Sequence, residues 1–162
     1  MDPYYEDDAV TIYHGEACAV LAELPAASCD VLLTDPPYSS GGMFRGDRQA
    51  TVATKYNVAN ATMATDFAGD TRDQRSWAHW VAAWSWAALR LTKPGGHCFV
   101  FSDWRQAPSA TDAVQLGGWA WRGLLVWDKV NTRPLPGRFY ATAEFITWGT
   151  NGAFIENPGC GS

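Results

Sequence analysis

The first 44 residues contain no lysine and no arginine, although they hold eight acidic side chains. The remaining residues carry twelve basic and nine acidic side chains, so the net charge of −5 is unevenly distributed along the chain. A low overall charge argues mildly against a general nucleic-acid-binding protein, but phosphate contacts depend on local positive charge. We therefore expect contacts with a polyanion to come from the part of the chain after residue 44.

Metal-ligand and membrane patterns are also missing. The four cysteines, at positions 18, 29, 98 and 160, include no pair with metal spacing and no Cys-x-x-Cys motif. We therefore expect no metal, and we interpret Cys18, Cys29 and Cys98 as small core residues. The sequence shows neither a secretory leader nor a long apolar run. We therefore expect no membrane partner, and we expect the protein to be located in the reducing cytoplasm.

The composition is that of a folded protein. The chain has 162 residues, of which 47% are hydrophobic and 18% are charged. This predicts a single globular domain that is large enough for a real core. Nine tryptophans are many for this length. We expect most of them in the core, with one or two left for stacking on a base.

One short stretch combines a buried strand with an abrupt stop. The apolar residues 31–33 and Thr34 predict a strand. Pro36 and Pro37 lack a backbone N–H and fix φ, and a residue before proline is extended, so the strand ends at Asp35. Tyr38 then points out of a stiff elbow. Open α/β sheets bind ligands at the carboxyl ends of their strands, which makes this elbow the candidate site.

The elbow suits methyl transfer to an exocyclic amino group. A carboxylate at Asp35 that accepts one N–H would favour the tetrahedral nitrogen that attacks a methyl sulfonium. The Pro37 carbonyl would accept the second N–H, and Tyr38 would stack on a base flipped out of the duplex. The alternative is a plain strand-to-loop turn that contains two prolines.

The rest of the chain reads as alternating strands and helices. A strand over 10–13, a helix over 17–24 and the strand before Asp35 predict a compact strand–helix–strand unit. The later elements are predicted from periodicity and from glycine and proline stops: a helix over 76–91, a strand over 97–101, a helix over 108–116, and strands over 119–127 and 142–148.

Asp35-Pro36-Pro37-Tyr38 resembles the catalytic motif of the amino-group DNA methyltransferases that use S-adenosylmethionine. The resemblance covers roughly residues 10–150 and extends to Lys93-Pro94-Gly95-Gly96, Trp127-Asp128-Lys129 and Glu144-Phe145. It is closest to the subgroup, often phage or bacterial adenine methyltransferases, in which this motif comes first. It implies an α/β fold with a Rossmann-like sheet, mixed and mostly parallel, with helices on both faces. The implied location is the cytoplasm of a bacterial cell or a phage-infected host.

The resemblance also implies roles for particular residues. Asp35 to Tyr38 would be catalytic, and Asp35 together with Glu16 would contact S-adenosylmethionine. For Glu16, a carboxylate favoured at a helix start is an equal alternative. Residues 39–75 would form a mobile loop that closes over double-stranded DNA, a solvated insert being the alternative. The candidate DNA-binding residues are Arg45, Arg48, Lys55, Arg133 and Arg138.

The expected glycine-rich cofactor motif, of the Asp-Pro-Phe-x-Gly-Ser-Gly type, has no convincing copy. Residues 157–162 echo it only weakly. We therefore expect residues 1–162 to be the N-terminal catalytic half of a methyltransferase domain with an incomplete sheet. On this view residues 151–162 begin a target-recognition segment.

Several functions remain open at this point. The leading interpretation is methylation of adenine N6 in DNA by a restriction–modification type of enzyme, and cytosine N4 is the nearest alternative. An RNA or protein-glutamine methyltransferase is less favoured, because those relatives usually carry Asn in place of Asp35. A catalytically dead DNA-binding module is favoured by the missing glycine motif and disfavoured by the intact elbow. A homodimer and a partner restriction nuclease are the further partners considered for the DNA methyltransferase.

Overall fold

A computed structural model of the chain describes residues 1–38, 72–130, 137, 139 and 142–153. Nine helices and strands lie within these residues. In chain order they are β1 (Tyr5–Glu6), β2 (Thr11–Ile12), α1 (Ala17–Glu23), β3 (Cys29–Thr34), α2 (Gln74–Leu91), β4 (Thr92–Ser102), α3 (Ala107–Leu116), β5 (Ala120–Asp128) and β6 (Ala143–Thr150).

A four-stranded mixed sheet forms the centre of the protein, with the strand order β3-β4-β6-β5. β3 runs parallel to β4, with Thr34 opposite Val100. β6 runs antiparallel to both β4 and β5. The predicted mixed α/β sheet is therefore confirmed, and one of the three described pairings is parallel.

The longest helix, α2, begins two residues before the predicted position. The reason is the Asp73 side chain, which caps the helix by accepting hydrogen bonds from the backbone N–H groups of Arg75 and Ser76. These bonds hold the pKa of Asp73 below its ordinary value. The predicted tryptophan stripe of this helix faces the core, where Trp77 and Val81 are fully buried.

α2 and α3 pack on one face of the sheet, and α1 contacts α2. The core joins α2 and α3 to Cys98 and Val100 of β4, and Leu21 of α1 packs against its border. On the other face, Phe99 and Trp148 stack with 18° between their ring planes. No described helix covers those rings. β3 is an edge strand among the described strands, and its Leu33 is 67% exposed.

The predicted strand–helix–strand unit is wrong in its pairing. β2 pairs antiparallel with β1 in a separate two-stranded sheet and makes no ladder with β3. The Asp7 carboxylate explains this, because it accepts hydrogen bonds from the N–H groups of Ala9 and Val10 and thereby closes a tight turn. The strand predicted over 10–13 therefore forms a local hairpin with β1.

Two predicted segments fall partly outside the described residues. Of the predicted loop 39–75, only the last four residues are described, and Gln74 and Arg75 already belong to α2. Of residues 151–162, only Asn151 to Ala153 are described. Asn151 is tied to the start of β4, where its N–H donates to the Gly96 carbonyl at 2.8 Å. Over the described residues, no helix is long and apolar enough to span a membrane.

Gly96 is expected to be intolerant of a side chain. A Cβ there would lie 2.7 Å from the backbone carbonyl oxygen of Asp30 and 2.9 Å from that of Lys93. Gly96→Ala should therefore push β3 away from β4 and lower the free energy of unfolding by roughly 1–3 kcal/mol. Urea denaturation of both proteins measures this.

Gly15→Ala is the matched control. Its Cβ would meet only the ends of two side chains, Val20 at 3.3 Å and Met1 at 4.0 Å. We expect its unfolding midpoint to stay near that of the unmodified protein. Equal midpoints for the two variants would contradict the close approach of β3 and β4 at Gly96.

Candidate active site

The elbow after β3 is held in place by side chains that donate hydrogen bonds to its backbone carbonyl groups. Pro36 is buried, while Pro37 and Tyr38 are half-buried and Asp35 is exposed. The indole Nε1–H of Trp77 donates to the Pro37 carbonyl at 2.8 Å. The side-chain amide of Gln106 donates to the Tyr38 carbonyl at 3.0 Å. Two helices thus fix a turn that has no N–H of its own at Pro36 and Pro37.

Gln106 is positioned by the segment between β4 and α3. Asp103 accepts hydrogen bonds from the backbone N–H groups of Arg105 and Gln106. Its second carboxylate oxygen pairs with the Arg105 guanidinium at 3.2 Å. The Oε1 atom of Gln106 is buried and has no hydrogen-bond partner among the described residues.

The Tyr38 hydroxyl lies between two carboxylates. It donates to Asp35 Oδ1 at 2.6 Å, and Glu144 Oε2 lies 3.5 Å away. Burial is the main reason that the pKa of Tyr38 lies well above its ordinary value, and the hydrogen bond to Asp35 adds to the effect. The nearby charges of Asp35, Glu144 and Asp103 raise this pKa further. Tyr38 is therefore a neutral phenol that donates its proton.

Glu144 completes the cluster. It is the second residue of β6 and is paired with Trp127 of β5. Its Oε1 atom forms an ion pair with the ammonium group of Lys129, and its side chain is only 14% exposed. The sequence had placed Glu144 in a strand without a role in the site. The available signals were the family resemblance at Glu144-Phe145 and an acidic residue on the same face of the strand as Ile146 and Trp148.

Trp77 and Gln106 were also missed as site residues. The tryptophan stripe of the helix indicated a core position, which is correct for the Trp77 ring. Nothing in the sequence indicated that its N–H would reach a carbonyl 40 positions earlier in the chain. Such a contact depends on how α2 lies across the end of β3.

The predicted second acceptor, the Pro37 carbonyl, is already engaged. Its oxygen accepts the Trp77 indole N–H, which leaves one lone pair for a substrate amine. Asp35 keeps its Oδ2 atom free of the Tyr38 hydroxyl. One oxygen of each group therefore retains capacity to accept an N–H, which is the requirement of the predicted chemistry.

Glu16 is placed at the start of α1, where its carboxylate accepts the Ala19 N–H at 2.9 Å. Backbone hydrogen bonds from Ala19 and Cys18 hold the pKa of Glu16 below its ordinary value. This is the helix-start alternative considered for Glu16, and contact with a cofactor stays a prediction. The predicted DNA-binding residues lie outside the described part of the chain: Arg45, Arg48, Lys55, Arg133 and Arg138.

Trp77→Phe tests the anchor of the elbow. The substitution keeps a ring in the core but removes the N–H that binds the Pro37 carbonyl. We expect a loss of unfolding free energy about 1 kcal/mol larger than for a tryptophan without such a bond, because one net hydrogen bond is worth about that much. Chemical denaturation provides the measurement.

Trp84→Phe is the matched control on the same helix. Trp84 is also buried, and its Nε1 atom has no hydrogen-bond partner among the described residues. Both variants lose a similar volume, so the difference between them isolates the bond to Pro37. An equal loss of stability in the two variants would argue against the Trp77 anchor.

Comparisons with known proteins identify the family of the chain. A family model for DNA methylases of the N6/N4 methyltransferase class matches residues 29–155. The DNA adenine methyltransferase YhdJ of Escherichia coli K12 is 45% identical over 42 residues, which are 26% of this chain and 14% of that protein.

Two solved structures share the fold. The DNA modification methylase TTHA0409 of Thermus thermophilus, complexed with S-adenosyl-L-methionine, has a TM-score of 0.54 at 18% identity over 88% of this chain and 54% of its own. The cytosine-N4-specific PvuII DNA methyltransferase has a TM-score of 0.59 at 14% identity, over 89% and 50%. The chain thus spans about half the length of these structures. With the family match covering most of the sequence and the Asp35–Tyr38 elbow inside it, the chain belongs to the DNA methylase family of N6/N4 methyltransferases.

Proposed function

We propose that the protein carrying this chain transfers a methyl group from S-adenosylmethionine to N6 of adenine in double-stranded DNA. The observation that carries the proposal is the Asp35 carboxylate, which lies exposed at the end of β3 beside the held carbonyl of Pro37. An amino nitrogen there can donate both of its protons to fixed acceptors. This draws its lone pair out of conjugation with the base.

The chain's own residues would orient the amine and the base. Asp35 accepts one N–H of the amine, and the Pro37 carbonyl accepts the other on the lone pair that Trp77 leaves free. Tyr38 provides an aromatic face for a base that has been flipped out of the duplex. These acceptors are fixed before the substrate arrives, so little reorganisation is needed as positive charge develops on the nitrogen.

The charges of the site fit a cationic methyl donor. Three carboxylates surround Tyr38, namely those of Asp35, Glu144 and Asp103, and Lys129 and Arg105 pair with two of them. Asp35 is the carboxylate without an ion pair among the described residues. When bound, S-adenosylmethionine supplies an electrophilic methyl group on a sulfonium. Asp35 would hold the positively charged part of the molecule, and Glu16 is the further candidate.

Adenine is favoured over cytosine by two observations. Asp-Pro-Pro-Tyr leans towards adenine among the resembled enzymes, and the 42-residue stretch shared with YhdJ matches a DNA adenine methyltransferase. Cytosine N4 is the second candidate, because the fold is also that of the N4-specific PvuII enzyme. Both amines are chemically alike, so the bound base decides between them. Nucleoside analysis of methylated DNA would show N6-methyladenine or N4-methylcytosine directly.

Asp35→Ala should abolish methyl transfer while the protein stays folded. We expect the rate to fall by about 10²-fold or more, because the side chain acts on the transition state from an exposed position. Asp35→Asn should keep a trace of activity, since an amide oxygen still accepts a hydrogen bond. Transfer of radiolabelled methyl groups to DNA measures the rate, and circular dichroism checks the fold.

Asp30→Ala controls for loss of a carboxylate from the same strand. Asp30 pairs with Lys93 at 2.7 Å in an exposed salt bridge, which contributes little to stability. Its activity should match that of the unmodified protein. Normal turnover by Asp35→Ala would overturn the proposed mechanism.

The loop after the elbow should supply phosphate contacts. We expect Arg45→Ala/Arg48→Ala to weaken DNA binding and to reduce the slope of log affinity against log salt by roughly 0.9 per lost contact. Fluorescence anisotropy at several salt concentrations measures the slope. Lys93→Ala is the control, because Lys93 lies at the start of β4, at the edge of the sheet opposite to Asp35. An unchanged slope in the double variant would remove these arginines from the interface.

A further inference from the structure

The Tyr38 hydroxyl has one proton and two carboxylates within reach. It donates to Asp35 Oδ1 at 2.6 Å, whereas Glu144 Oε2 is 3.5 Å away, at the limit of a hydrogen bond. The phenol therefore binds the carboxylate that the proposed reaction needs. While it does so, Asp35 is a weaker acceptor for an incoming amine, because part of its charge is already satisfied.

Stacking of Tyr38 on a base would change this arrangement. If the ring moves to cover a flipped base, its hydroxyl must leave Asp35. A partly buried hydroxyl that loses its acceptor is destabilised unless another acceptor replaces the first. Among the described residues that the hydroxyl contacts, Glu144 is the other carboxylate.

Glu144 is placed to accept a hydrogen bond from that hydroxyl. Its Oε1 atom is held by Lys129, and its Oε2 atom faces the Tyr38 hydroxyl. The position is fixed by the sheet, because Glu144 is paired with Trp127 and the Lys129 N–H donates to the Thr142 carbonyl at 2.6 Å. The two carboxylate oxygens thus have separate partners, and the ammonium group offsets the cost of enclosing the charge.

We propose that Glu144, held by Lys129, is a positioning residue that accepts the Tyr38 hydroxyl when a substrate amine engages Asp35. The inference rests on the proposed methyl transfer. The transfer of this one hydrogen bond frees both oxygens of Asp35 for the amine and fixes the Tyr38 ring on the base. No covalent bond changes, and the phenol keeps its proton throughout.

A purely structural role for the Lys129–Glu144 pair makes a different prediction. A pair that only closed the end of the β5–β6 hairpin would affect stability, and its loss would be felt equally with or without the Tyr38 hydroxyl. The proposed role requires that hydroxyl. A double-mutant cycle between Glu144 and Tyr38 separates the two roles.

The experiment measures kcat and KM for methylation of duplex DNA in Glu144→Ala, Tyr38→Phe and the double variant. We expect Glu144→Ala to lower kcat roughly tenfold, with KM for DNA nearly unchanged. In the Tyr38→Phe background the same substitution should cost less than twofold, because no hydroxyl remains to be accepted. Glu144→Gln retains an acceptor oxygen and should recover part of kcat.

Stability of the free protein gives a second readout. In the structure the hydroxyl is bound to Asp35, so unfolding measurements should show coupling of Tyr38 with Asp35 that is larger than its coupling with Glu144.

Asp128→Ala is the matched control for kcat. It removes an exposed carboxylate from the end of β5, next to Lys129, and no contact joins it to Tyr38 among the described residues.

The outcomes separate this inference from the proposed function. An equal loss of kcat from Glu144→Ala in both backgrounds, or no loss in either, would overturn the role of Glu144 while Asp35→Ala remains inactive. Failure of Glu144→Gln to recover any activity would also count against an acceptor role. Normal turnover by Asp35→Ala would overturn the proposed function, and this inference with it.

Discussion

The site depends on carbonyl groups, because the turn that carries it has almost no donors. Pro36 and Pro37 follow Asp35 directly, so the backbone after β3 cannot be held by its own N–H groups. Trp77 of α2 and Gln106, which precedes α3, bind the carbonyls of Pro37 and Tyr38. The position of Asp35 and Tyr38 therefore follows from how two helices pack on the sheet, and a change in that packing would move the site.

The strand order brings the remaining parts together at one edge of the sheet. β3 and β4 are parallel, so Asp35 and Asp103 both follow strand ends on the same side. β6 is antiparallel to β4, and its first residues therefore lie at that edge, beside the last residues of β5. Glu144 and Lys129 reach Tyr38 for this reason, although Glu144 lies 106 positions along the chain from it.

Apolar side chains are left uncovered by the described helices on the second face of the sheet. α2 and α3 pack on one face, whereas Phe99 and Trp148 lie on a face that no described helix covers. Leu33, which is paired with Phe99, is exposed on the same face, and β3 is an edge strand among the described strands. Apolar surface of this kind is normally covered in a folded protein. The chain also spans about half the length of the related structures.

Much of the fold could be predicted because it depends on local chemistry. Proline stops β3 at Thr34 by removing donors, and the tryptophan period marks the buried side of α2. These effects act within a few residues, so periodicity and breakers were sufficient. The first strand was misassigned because Asp7 closes a turn that sends it into a hairpin with β1. The uneven charge distribution can also be read from the sequence, since the residues before Arg45 include no lysine and no arginine.

The partners of the site were decided by the tertiary structure. The sequence alone determined that Asp35 and Tyr38 would lie at a strand end, because two prolines without N–H groups cannot continue the ladder of the sheet. It did not determine that the Tyr38 hydroxyl would bind Asp35, or that Glu144 would lie within reach. The contact with Glu144 joins segments far apart in the chain. It depends on strand order and register, which local propensity does not encode.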